Sequence, residues 1–195
     1  MIDLVPVLCL RGGMYLDEKG SSAIIIAFLI SSNTYFRNPL SAVILDQPQY
    51  QDFFFAVEID TSFDSLLGNI NTNHIGIDLS TIVSFSSVDT LSPGVDFKSG
   101  KVVNAWIEYR DSMKMVCVWV SYSSTSSPTP ILASQVDFSE QLKEFMHVGF
   151  STSNGGGSGI HVIDHWQFIK TLDYGSREEV TPMDTIEEGN CLLSS

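Results

Sequence analysis

Six short segments of the chain, FFFAVEID (53–60), HIGIDLSTIVSF (74–85), KVVNAWIEYR (101–110), KMVCVWVSY (114–122), FMHVGFSTS (145–153) and HVIDHWQFIKTL (161–172), repeat one pattern. Each is rich in β-branched and aromatic residues and is bounded by Gly, Pro, Ser, Asn or Asp, which is how strands of an antiparallel protein read. In KVVNAWIEY, Val103, Ala105, Ile107 and Tyr109 fall on one face and Asn104 and Glu108 on the other, as in a sheet with one wet face. RDSMK (110–114) is a tight return into KMVCVWVSY, so these two segments predict a hairpin. Helical periodicity is absent, and SEQLKEF (139–145) suffices only for a helical turn within a connection. AIIIAFLI (23–30) is far short of the roughly 20 apolar residues that span a bilayer and reads as a buried strand. A chain of 195 residues that is 44% hydrophobic and only 17% charged has material for a sizeable core. The prediction is one main all-β domain, an antiparallel jelly-roll sandwich. Beyond Leu172 the pattern stops, and residues 173–195 read as an acidic, turn-rich, disordered tail.

The formal charge of −13, with ten Lys and Arg and no basic block, argues against nucleic acid or an anionic membrane surface as partner. It suits divalent cations. Cys9, Cys117 and Cys191 lie far apart without CxxC spacing and define no redox compartment. The opening MIDLVPVLCLRGG carries Asp3 where a leader peptide has basic residues, and no Asn-x-Ser/Thr sequon reports a secretory history.

The chemistry concentrates in VEIDTSFDSLLGNINTNHIGIDLS (57–80). Glu58 and Asp60 are two apart on a strand, so both carboxylates leave the same face. Like charges that close repel unless a cation, a proton or a substrate holds them together. Isolated, such a pair reads as solvated residues on an open sheet face. The continuation points elsewhere: Asp64 and Asn69 follow in the loop and His74 heads the next strand, so oxygen and imidazole donors can converge at one strand end. Carboxylates and carbonyls suit calcium, and an added imidazole suits manganese or another transition ion.

Glu58-x-Asp60 followed by His74-Ile75-Gly76-Ile77-Asp78 resembles the metal-binding signature of the legume lectins. The likeness runs on through KSGKVVNAWIEYRDSMKMVCVWVSY, PILASQVDFSEQLKEFMHVGFSTSNG and HVIDHWQF with Trp166, and covers roughly residues 23–172. Within the family it is nearest to the ectodomains of plant lectin receptor-like kinases, and PMDTIEEGNC in the tail resembles their juxtamembrane segment. The resemblance implies a sandwich of the concanavalin A type, lacking several N-terminal strands, with residues 1–22 as an atypical start. It also implies carbohydrate binding without catalysis, a glycan or glycoprotein partner, and an extracellular or plasma-membrane setting. A homo-oligomer is a further expectation.

Carried over by residue, the resemblance assigns the transition ion to Glu58, Asp60 and His74. Calcium would take Asp60, the Ser62 main-chain carbonyl and the side chain at 64, and Ser84 would position a metal-bound water. Two positions depart from the family: Asp64 stands where it has an asparagine shared by calcium and sugar, and Asn69 where it has an aspartate shared by both metals. A neutral amide at 69 removes a negative charge between two dications, which predicts weakened metal affinity. The sugar site departs further, with Ser62 in place of an aromatic platform, Phe63 beside it, and Ile24 where a hydroxyl-binding aspartate belongs. The loop STSNGGGSG (151–159) lies where the family carries its specificity loop, and Gly155, Gly156 and Gly157 would let backbone amides approach a ligand.

Two other classes stand beside this reading. Retaining β-glucanases share the architecture and a Glu-Ile-Asp-x-x-Glu strand with carboxyls about 5 Å apart. Here Ser62 and Phe63 occupy the acid's place and cannot protonate a leaving oxygen. His147, His161 and His165 lack the context of a nucleophilic triad. The other class is a degenerate lectin module that binds a protein or hydrophobic ligand through apolar surface.

Overall fold

A computed structural model of the chain describes residues 2–13, 25–32, 53–153, 160–172 and 185–193. Among the described residues there are eleven strands and no helix. They are β1 (Ile2–Gly13), β2 (Ile25–Ser31), β3 (Phe54–Asp60), β4 (His74–Leu79), β5 (Ser86–Asp89) and β6 (Val102–Arg110), then β7 (Met115–Ser121), β8 (Leu132–Gln135), β9 (His147–Ser153), β10 (Ile160–Leu172) and β11 (Thr185–Leu193). One sheet has the order β11-β10-β1-β6-β7-β8 and the other β5-β4-β3-β2-β9. Every pairing is antiparallel. The jelly-roll sandwich expected from the strand pattern is therefore the fold.

The 110–114 return closes the β6–β7 hairpin, with Arg110 opposite Met115. The alternation in β6 is as expected: Val103, Ala105, Ile107 and Tyr109 are buried while Asn104 and Glu108 are partly exposed. Ala105, Ile107 and Tyr109 pack with Ile26, Phe28, Ile30, Phe55, Val57, Ile75 and Ile77 of the other sheet, forming the main core. Phe138, in the connection after β8, plugs one end of it, with Phe55 and Tyr109 at ring-centroid distances of 4.9 and 4.6 Å. That connection makes the expected single turn, since Leu142 N–H donates to the Phe138 carbonyl.

Three features differ from the sequence expectation. β3 and β4 are buried on both faces, where one wet face was expected; β2 is the buried strand expected, and its Ala27 and Leu29 form with Ala56 a second small core on the far side. Residues 1–22 are not separate from the domain expected at 23–172, because β1 lies between β6 and β10 in the six-stranded sheet. A strand drawn from the N-terminal segment thus occupies the place that the short start was expected to leave open. Pro6 lies within it, and the register with β6 runs from Leu4 to Val7, passing over Val5 and Pro6, as a residue without an N–H requires. Finally, TIEEGNCLL in the tail is not unstructured: it is β11, paired along β10 from His161↔Leu193 to Lys170↔Thr185. The outer edge of β10 offers a row of backbone donors and acceptors that a further strand satisfies. Among the described residues no helix is long and apolar enough to cross a membrane.

Candidate metal centre

β3 and β4 build the site by register alone. Asp60 lies opposite His74, Glu58 opposite Gly76 and Ala56 opposite Asp78, so Glu58, Asp60, His74 and Asp78 share the face turned away from the main core. That face is closed over, and the reading of Glu58 and Asp60 as solvated strand residues gives way. Glu58 is 4% exposed, and Asp60, His74 and Asp78 are each 1% exposed.

His74 Nδ1 lies 3.0 Å from the Asn71 carbonyl, which can only accept, so Nδ1 carries the proton and Nε2 presents a lone pair. That lone pair faces Asp60 Oδ2 at 3.9 Å and Glu58 Oε1 at 4.0 Å. Burial pushes the His74 pKa below its ordinary value, opposed by the Asn71 bond, so the imidazole is neutral and these are not ion pairs. Three acceptors thus converge, with His74 Nε2 about 4 Å from each carboxylate oxygen. Among the described residues these three form a group of metal-type ligands, with donor atoms all within 4.8 Å of one another. A histidine oriented through its other nitrogen, with two carboxylates, is a donor set that fits one transition-type cation.

Without a cation the cluster must take up protons. Asp60 is pushed up to about 7, by burial first and then by the Glu58 charge, against the Ser62 and Asn69 hydrogen bonds and the charge of Lys98. Asp78 is likewise pushed up to about 7 by burial and by the charges of Glu58 and Asp60, and burial raises Glu58 as well. Ser84 Oγ lies 2.7 Å from both Glu58 Oε1 and Asp78 Oδ1. One hydroxyl has one proton to give, so two such contacts are fully satisfied when one carboxyl is protonated. Ser84 therefore bridges the Glu58 carboxylate to Asp78, a partner that sequence reading missed although it closes the HIGID motif.

The other assigned residues fall in the loop 61–73. Asn69 Nδ2 donates to Asp60 Oδ2 at 2.7 Å and lies 3.4 Å from the Ser62 carbonyl. Asp64 does not join the Glu58, Asp60 and His74 group; its Oδ1 accepts the Leu66 N–H at 2.8 Å. Phe63 is beyond the end of β3 and 57% exposed, and Leu66 and Ile70 on the same loop are 89% and 49% exposed. Gly155, Gly156, Gly157 and Ile24 lie outside the described residues. His147 and His165 are exposed and apart from the centre.

Gly76 explains how Glu58 and Ser84 approach so closely. A Cβ at 76 would overlap both Ser84 Oγ and Glu58 Oε1. Gly76→Ala is therefore expected to displace both, at roughly 1–3 kcal/mol of overpacking. Thermal melting should show the loss of stability, and manganese titration should show weakened uptake; an unchanged melt and titration would contradict the tight packing.

Asn73, unnoticed in the sequence, secures the rim. It is 1% exposed; its Nδ2 donates to Thr90 Oγ1 and, at 2.9 Å, to the Val95 carbonyl, while its Oδ1 accepts the Phe97 N–H at 2.8 Å. The 90–97 loop is thereby tied to the residue before His74.

Comparison with known proteins agrees with this architecture. The sequence pattern of the legume lectin domain matches residues 14–183. L-type lectin-domain containing receptor kinase S.6 of Arabidopsis thaliana is 46% identical over 174 residues, which are 87% of this chain and 24% of that protein. L-type lectin-domain containing receptor kinase S.7 of Oryza sativa subsp. japonica is 39% identical over 143 residues, 72% of this chain and 20% of that protein. The chain thus spans a quarter or less of the length of these relatives. Among solved structures, lectin II from Ulex europaeus superposes with a TM-score of 0.67 at 26% identity, over 88% of this chain and 74% of that one. The metal-free form of lectin I-B4 from Griffonia simplicifolia gives 0.68 at 21% identity over 88% and 73%, a likeness of fold. With its family pattern matched over residues 14–183 and its jelly roll superposing on solved lectins, the chain belongs to the legume lectin domain family.

Proposed function

We propose that the chain is a carbohydrate-binding, non-enzymatic lectin domain of a receptor ectodomain, facing an extracellular or plasma-membrane setting. In this reading Glu58, Asp60 and His74 hold a transition-type cation. The observation that carries it is the buried convergence of His74 Nε2, Glu58 Oε1 and Asp60 Oδ2 within 4.0 Å contacts, in a chain of lectin family. A bound cation would supply the positive charge that lets these ligands stay ionised and would fix the start of the 61–73 loop. The loop then presents Phe63 toward solvent, and by family resemblance Gly155, Gly156 and Gly157 belong to the segment that would meet a ligand. The sugar grip is weak, because Ser62 and Ile24 replace an aromatic and a carboxylate; each missing bond to a charged partner costs roughly 1.5–3 kcal/mol. Glycosidase chemistry has no support in this reading, since Ser62 and Phe63 stand where the acid would and Glu58 is 4% exposed.

A glycan array read with and without chelator tests this. The expected result is weak signal for free mannose, glucose or galactose, and chelator-sensitive binding to larger glycans that drops in Glu58→Gln. The exposed Phe63, Leu66 and Ile70 favour a second reading, an apolar protein-binding rim. Silence across the array with a folded protein would favour that one.

A further inference from the structure

We propose that an amide fills the second cation position of this chain: Asn69 acts in place of calcium, so the loop 61–73 keeps its shape without that ion and the centre takes one cation only. The inference concerns the neighbour of the transition-ion site proposed above and stands whether or not that ion binds.

Calcium requires six to eight oxygen ligands, with carboxylates foremost. Asp60 Oδ1 and Oδ2, the Ser62 carbonyl and Asp64 Oδ1, oxygens that it would draw on here, already have loop donors beside them. Asp60 Oδ1 accepts the Ser62 N–H, and Asp60 Oδ2 accepts Asn69 Nδ2 at 2.7 Å. The Ser62 carbonyl has the same amide nitrogen 3.4 Å away. Asp64 is turned into its own loop, its Oδ1 on the Leu66 N–H at 2.8 Å and its carbonyl on the Leu67 and Asn69 N–H groups at 3.2 Å each. One side chain, Asn69, therefore reaches both the carboxylate and the carbonyl that a bridging cation would draw together.

The chemistry of the substitution is consistent. An amide N–H₂ offers two donors and can link two acceptors, the geometric task of a cation, without the charge. An aspartate at 69 would be an acceptor facing the acceptor Asp60 and would need an ion between them. The far end of the loop is tethered in the same manner, since Asn71 Nδ2 donates to Asp89 Oδ1 at 2.7 Å and Asn71 Oδ1 accepts the Asn73 N–H at 2.8 Å. Both tethers are protein amides. Asp60 Oδ2 still has a second lone pair for the His74 side, so the lock leaves the transition-ion ligands in place.

The test uses the whole chain and two readouts, hydrogen exchange of the 61–73 amides and metal stoichiometry by calorimetry with manganese and then calcium. In the wild type, exchange in the loop should be unchanged by a calcium chelator, and calcium added to the manganese-saturated protein should give no further uptake. Asn69→Asp should make the loop calcium-dependent, exchanging about ten- to a hundredfold faster in chelator than in calcium, and should add a calcium equivalent. Asn69→Ala should exchange fast in either condition; should it not fold, Asn69→Asp in calcium carries the comparison. Chelator-sensitive protection in the wild type, or calcium uptake beside manganese, would overturn the lock. Failure of manganese to bind while the exchange pattern holds would remove the transition-ion reading and leave the lock standing.

Discussion

In the absence of divalent cations the protein is expected to melt several degrees lower at pH 8 than at pH 5.5, and excess manganese is expected to cancel most of that difference. Asp60 and Asp78 have pKa values of about 7 in the folded chain against 3.8 as the ordinary value. A carboxyl whose folded pKa lies above its unfolded one contributes stability that is complete below the unfolded value and is lost as pH rises through the folded one. His74 works the other way, because its folded pKa is lowered from 6.5 and its stability contribution fades as pH falls below that value. At about 1.4 kcal/mol per pKa unit, the carboxyls outweigh the single imidazole, and the net loss from pH 5.5 to 8 is on the order of 2–3 kcal/mol. A domain of this size shifts its melting temperature by about 2–4 °C per kcal/mol, giving a drop of roughly 5–10 °C. On the reading proposed above manganese would bind the deprotonated side chains, so its affinity should rise with pH, and at a hundredfold excess over Kd it would add about 2.7 kcal/mol at pH 8. Melting curves at both pH values, with chelator and with manganese, decide the matter. A flat profile in chelator, or indifference to manganese at pH 8, would show that the buried carboxyls are not waiting for a cation.

Some of this centre could be read from the sequence and some could not, for separable reasons. The placement of Glu58, Asp60 and His74 on one face follows from the two-residue period of strands and from the interval that sets the β3–β4 register, both local properties. Their burial is not local. Strand alternation carries no signal for it, nor for the long-range tie beside the site, where the Asn73 side chain bonds Thr90, Val95 and Phe97, 17 to 24 residues further along. The role of Asn69 was legible only as a missing charge, because sequence shows which donor is lost but not which hydrogen bond replaces it. β1 was obscured by Pro6, since a proline demotes a run to an edge or a bulge; here the ladder to β6 passes over it and the strand is central. β11 was hidden because Glu187, Glu188 and Gly189 interrupt any apolar alternation in TIEEGNCLL, and its pairing is fixed by the free edge of β10 instead.

Asn73→Ala is the single substitution expected to cost the most stability, because it removes both sides of one amide at once. The alanine leaves the Val95 carbonyl without the Asn73 Nδ2 donor and the Phe97 N–H without the Oδ1 acceptor, in a place closed to water. Each orphaned buried group costs roughly 1–3 kcal/mol, so the loss is about 3–5 kcal/mol, a large part of a typical domain's stability. The damage has a direction. Thr90 also bonds the Asn73 main-chain carbonyl, with its own N–H at 3.2 Å and its hydroxyl at 3.2 Å, and those bonds survive the substitution. The start of the 90–97 loop should therefore hold, while its end keeps only the Val95 N–H bond to Thr90 and the Asp96–Tyr122 bonds, so that Val95 to Phe97 loosens and admits water beside His74. Solvation of that side weakens the burial that raises the Asp60 pKa, so the pH dependence described above should flatten in the same variant. Urea unfolding would measure the first effect, and the chelator melting series at pH 5.5 and 8 the second. Asn73→Asp separates them, since it keeps an acceptor for Phe97 but loses the donor to Val95 and adds a buried charge. It should be no more stable than the alanine variant, and a near-wild-type melt for either would show that the 90–97 loop is held by something other than this side chain.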